Sequence, residues 1–143
     1  PFFVALFAFL YRVQSTRQQD EAVLLRRKAL GRAMDDIRRL RKQASAMSAT
    51  DFLGRIAAVI ERYISGKFGF PATGRTLDEL RQELPEQGID AQVVSDLVIF
   101  MQELDRYRFG GVALDEKGKS DTLTRTADFI DRLDRAHRKE ARK

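Results

Sequence analysis

The chain has no cysteine, no tryptophan and a single histidine. Without cysteine there is no disulfide scaffold, thiol nucleophile or zinc–thiolate site. One imidazole, His137, excludes any centre built on several, and no indole is present for stacking. Whatever chemistry the chain performs rests on carboxylates, lysines and hydroxyls. It also lacks a long apolar run. The best stretch is PFFVALFAFLY at 1–11, and a bilayer takes about 20 residues.

What is present is a chain of 143 residues, 43% hydrophobic and 33% charged, which is one globular domain's worth with enough apolar mass for a core. The formal charge of +5 is unevenly spread. Residues 1–50 carry ten basic and four acidic side chains, 51–131 carry ten and fifteen, and 132–143 carry six and two. An acidic middle therefore sits between two basic arms. Basic arms suggest nucleic acid, but no recognition motif or base-stacking aromatic cluster accompanies them.

GGVALDEKGKSD at 110–121 resembles the tail of a phosphate-binding loop. The spacing fails: six residues separate Gly111 from Gly118 where the motif has four, and Asp115 and Glu116 would repel the anion. An EF-hand fails too, since Lys117 and Lys119 stand where oxygen ligands are needed. Ser120 is predicted to cap a final helix, with Asp121 in its first turn. Glu103, Asp105, Asp115 and Glu116 are the nearest approach to paired carboxylates and read as a solvated face. No catalytic, cofactor-binding or metal-ligating residue is expected.

Periodicity predicts helices throughout. Val23, Leu30, Ala33, Ile37, Leu40, Ala44 and Met47 draw one stripe on a helix over 18–47, with Gly31 its weak point. Ser48 with Asp51, or Thr50 alone, caps a second helix through Ile64 that stops at Gly66 to Gly69, before Phe70, which Pro71 pushes out of the helical region. Thr76 and Glu79 have capping-box spacing and open a short helix ending before Pro85. Asp90 caps a central core helix through Leu97 and Leu104, ending near Tyr107. The last helix turns Leu123, Ala127, Ile130 and Leu133 inward.

The first eleven residues, followed by Arg12, Arg17 and Arg26-Arg27-Lys28, read as the final half of a transmembrane helix with its cytoplasmic side marked by cations. The absence of an initiator methionine fits a fragment of a longer protein. The expected architecture is thus all-α. Residues 1–11 form the end of a transmembrane helix, 12–47 a basic juxtamembrane stalk, and 48–143 a small helical bundle with a basic tail.

The order ERYISGKFGFP, RTLDELRQEL, VVSDLVIFMQELDRYRFGG resembles the C-terminal cytoplasmic region of BatD-type membrane proteins. The matching residues are Arg62-Tyr63-Ile64, Lys67-Phe68-Gly69, Thr76, Glu79-Leu80, Leu84, Asp105 and Arg108-Phe109. The resemblance implies a preceding extracytoplasmic β-rich region, a single-pass location in the inner (cytoplasmic) membrane with this segment on the cytoplasmic side, and a role in aerotolerance or stress response. It also implies two partners, a MoxR-type AAA+ ATPase and von Willebrand A-domain membrane proteins. The expected function is a non-catalytic, membrane-tethered adaptor that binds through Thr76, Glu79, Asp105, Arg108 and Phe109. Two alternatives stay open: a helical nucleic-acid-binding regulator with basic arms, and an enzyme using carboxylates.

Overall fold

A computed structural model describes residues 2–69 and 71–140, with side chains through His137. Pro1, Phe70 and the last three residues of the basic tail lie outside it. Five helices follow in order: α1 (Phe2–Gln43), α2 (Ala49–Phe68), α3 (Leu77–Glu86), α4 (Ala91–Phe109) and α5 (Glu116–Glu140), with a 3₁₀ turn at Ala44–Ala46 after α1. The protein is an all-α bundle, and among the described residues there is no strand.

α1 runs unbroken past Gly31. One glycine costs a helix only about 1 kcal/mol, less than is gained by burying Ala33, Ile37 and Leu40 beyond it. Full burial begins at Ala29, and Arg26 still lies against the end of α2, its Nη2 3.4 Å from where a Cβ on Gly69 would stand. The part that stands off the bundle is residues 2–22, a rise of about 30 Å. Val23, the first residue of the expected stripe, is 46% exposed. Among the described residues no helix is long and apolar enough to cross a membrane.

Local chemistry fixes the helix ends. Ser48 Oγ accepts from the Asp51 N–H at 3.2 Å and Asp90 Oδ1 from those of Gln92 and Val93. α2 ends at Gly69, whose φ of 73° is the left-handed conformation that closes a helix without a Cβ penalty. α3 and α4 end later than expected. Pro85 lies inside α3, because Leu80 and Leu84 are buried and the N–H groups of Gln87 and Gly88 close onto the Leu84 and Pro85 carbonyls. α4 runs to Phe109.

The start of α5 also differs from expectation. It begins at Glu116, capped by Asp115, whose Oδ1 accepts from the Gly118 N–H at 2.7 Å. Ser120 lies inside the helix. Gly118-Lys119-Ser120 is instead where α5 clamps the end of α1. The 5%-exposed Lys119 donates from Nζ to the Ala44 and Met47 carbonyls, at 2.8 Å each, and Arg41 reaches Ser120 Oγ at 3.4 Å. These carbonyls close the chain's exit from α1, and a buried ammonium satisfies them.

The core gathers Phe52, Ile56, Ile60 and Ile64 of α2, Leu97, Val98 and Phe100 of α4, and Leu123, Ile130 and Leu133 of α5. α4 and α5 are further joined by a ladder. Phe100 and Phe129 stack with centroids 4.8 Å apart. Arg125 lies over Phe100 and pairs with Glu103 at 2.7 Å, and Arg132 lies over Phe129 and pairs with Asp96 at 3.0 Å.

Candidate partner-binding surface

The five residues expected to recognise a partner fall into two groups. Thr76 and Glu79 open α3 as a reciprocal capping box: Thr76 Oγ1 accepts from the Glu79 N–H at 3.2 Å, and Glu79 Oε2 from the Thr76 N–H at 2.7 Å. That backbone hydrogen bond, followed by the one with the Thr76 side chain, holds the Glu79 carboxyl below its ordinary range. Both side chains are engaged in starting a helix.

Asp105, Arg108 and Phe109 lie at the end of α4. Asp105 is exposed, Arg108 half-buried. Arg108 makes no ion pair with Asp105. Its guanidinium lies flat against α2 at Gly54, where an added Cβ would stand 3.3 Å from Nη2, and 5.0 Å from the Phe109 ring centroid. Its Nε is buried without a hydrogen-bond partner. The missing side chain at Gly54 is what lets an arginine lie on α2 at all. Phe109 does not plug the bundle: it is 74% exposed, near the 46%-exposed Val112.

Glu61 of α2, which sequence reasoning did not single out, stands between the loop before α3 and the end of α4. Thr73, in the loop before α3, brings Oγ1 to 3.5 Å from Glu61 Oε2, and Arg108 and Asp105 act on the same carboxyl. Burial pushes the Glu61 carboxyl up. Thr73 and Arg108 pull it down and the Asp105 charge raises it further. Glu61 stands inside the quoted motif ERYIS, one of several charges on α2, and nothing in its spacing set it apart from Arg55 or Arg62.

Of the other motif residues, Arg62 is exposed and pairs with Asp36 of α1, whereas Tyr63, Lys67 and Phe68 tie the interior together. Tyr63 donates from its hydroxyl to Asp134 Oδ1 at 3.1 Å, and Lys67 Nζ lies 3.1 Å from the same oxygen. The Phe68 ring meets His137 edge-on, centroids 5.3 Å apart. A carboxylate 3% exposed is thus paired and hydrogen-bonded, as burial demands, and α5 is tied to α2. Among the described residues no group of three His, Asp or Glu is placed to hold a metal ion.

No family model, curated protein or solved structure matches the chain.

Proposed function

We propose that the chain is a non-catalytic, membrane-tethered interaction module, with residues 2–11 the cytoplasmic end of a membrane-spanning helix. The observation that carries this reading is the uncovered apolar start of α1. Phe3 is 83% exposed, Phe2 77%, Phe7 73% and Tyr11 69%, on a helix continuous with the first packed helix of the bundle. Such a surface is costly in water and favourable in lipid. Arg12 and Arg17 follow at the interface, where cations mark the cytoplasmic side. The BatD-type resemblance names the partner classes, a MoxR-type AAA+ ATPase or von Willebrand A-domain membrane proteins, and a role in aerotolerance. The end of α4, with exposed Phe109 and Asp105, is the surface offered to them.

The test is fractionation of the full-length protein followed by protease treatment of intact spheroplasts. The protein should pellet with membranes and the segment from Arg12 onward should stay uncut. Cleavage there, or recovery in the soluble fraction, overturns the tether.

A further inference from the structure

α1 and α2 form an antiparallel hairpin whose outer face carries a furrow of two adjoining hollows, about 370 and 410 Å³, sharing Asp36, Arg39, Val59 and Arg62. Its floor is apolar and small-sided. Ala29, Ala33, Leu40 and Val59 are buried, and the helices approach so closely that a Cβ on Gly66 would sit 3.6 Å from that of Ala29. Its walls are arginines, Arg32 and Arg39 from α1, Arg55 and Arg62 from α2. Asp36, the one acidic side chain of the lining, holds Arg39 at 3.0 Å and Arg62 at 3.3 Å across the middle. Arg32 and Arg55, at opposite ends, make no ion pair among the described residues.

We propose that this furrow is the docking site of an acidic amphipathic helix from a partner protein. The inference rests on the interaction-module reading and adds a second surface, besides the end of α4, with its own partner chemistry. A furrow between two antiparallel helices accepts a third helix, whose ridges fit between theirs. The floor side chains are nearly covered by one another, so that helix's apolar stripe packs chiefly along the aliphatic stems of the wall arginines. The two free arginines select carboxylates at its ends, Arg being suited to bidentate carboxylate recognition. From Arg32 to Gln43, which lines the same hollow as Arg55, α1 rises about 16 Å, so the carboxylates stand about eleven residues apart on the incoming helix. A lipid surface fits poorly. Along an unbroken α1 Arg32 is about 30 Å from Tyr11, several Debye lengths from the headgroups. Phosphate fits poorly as well, because Asp36 stands in the centre.

The test uses the full chain in neutral-lipid nanodiscs and a fluorescent helical peptide of about sixteen residues, with leucines at i, i+3, i+4 spacing and two glutamates about eleven apart. At about 0.1 M salt it should bind at least about tenfold more tightly than the same peptide with both glutamates changed to glutamine, and the gap should close as salt rises. Arg32→Glu with Arg55→Glu should abolish the preference with the melting temperature unchanged; Arg106→Glu, on an exposed face of α4, should preserve it. Equal binding of the two peptides, or a preference that survives the double variant, overturns the proposal. So does binding of phosphatidylglycerol vesicles but not peptide, or a self-associated species that the double variant dissolves. A MoxR-type or A-domain partner captured equally by the double variant overturns the furrow while leaving the interaction module standing, and spheroplast digestion speaks only to the tether.

Discussion

The two parts of α1 obey different rules although they are one helix. From Ala29 onward the inward positions are Ala29, Ala33, Ile37 and Leu40, each 5% exposed or less, and α2 lies close enough for glycine and alanine to face each other. Before Ala29 larger side chains stand uncovered, from Phe2 to Leu25. Small residues mark where a helix already has a neighbour. Large uncovered ones mark where it lacks one. Helical periodicity continues through both, so periodicity alone does not reveal which part is packed.

That contrast predicts the largest effects. Ile37→Ala should cost about 2–5 kcal/mol in a denaturant melt, since it empties a filled site between α1 and the bundle. Leu24→Ala, at a position 50% exposed on the same helix, should stay within about 0.5 kcal/mol. Equal losses would mean that the uncovered segment folds back onto the bundle.

What was legible in the sequence is what is locally determined. Ser48, Thr76 and Asp90 are caps whose partners lie two or three residues away, and all three form as their types and spacing dictate. The inward faces of α2 and α4 followed from periodicity for the same reason. The start of α5 was misread because Ser120 and Asp115 are both good caps. Asp115 prevails because Gly118 brings an N–H to its carboxylate and Leu114, just before it, packs against the core. Arg108 lying on Gly54, Glu61 between Thr73 and the end of α4, and Lys119 on Ala44 were not legible, since each joins residues far apart in the chain.

Lys119 sharpens the contrast at the other end of α1. Lys119→Met should cost about 1.5–3 kcal/mol, because it removes charge-assisted bonds to two carbonyls that the fold shields from water. Lys117→Met, two residues earlier and exposed, should stay within about 0.5 kcal/mol. At the boundary itself, Gly31 has open space around its missing Cβ. Gly31→Ala should therefore stabilise the chain by about 1 kcal/mol. A loss there would show that the two parts of α1 need a hinge.

The smallest effects set a covered carboxylate against an uncovered one, Glu61 against Glu79, and their signs are opposite. Glu79 is lowered below its ordinary 4.5 by the hydrogen bonds of the capping box. The folded state thus prefers it ionised; its contribution is present above 4.5 and lost as pH falls through the lowered value. Glu79→Ala should therefore weaken the protein at neutral pH, and the gap to wild type should close on acidification. Glu61 is raised above 4.5, chiefly by burial, so the folded state prefers it protonated. Its contribution is full below 4.5 and lost as pH rises through the raised value. Glu61→Gln keeps an acceptor for Thr73 and removes the charge, so it should gain on wild type as pH rises and match it in acid. Denaturant melts of both variants between about pH 3 and about pH 7 read the two slopes directly. If Glu61→Gln instead weakens the protein at neutral pH, the attraction of Arg108 outweighs burial. The charge of Arg108 acting on Glu61 then helps to hold α4 to α2, leaving Asp105 and Phe109 as the parts of that surface free for a partner.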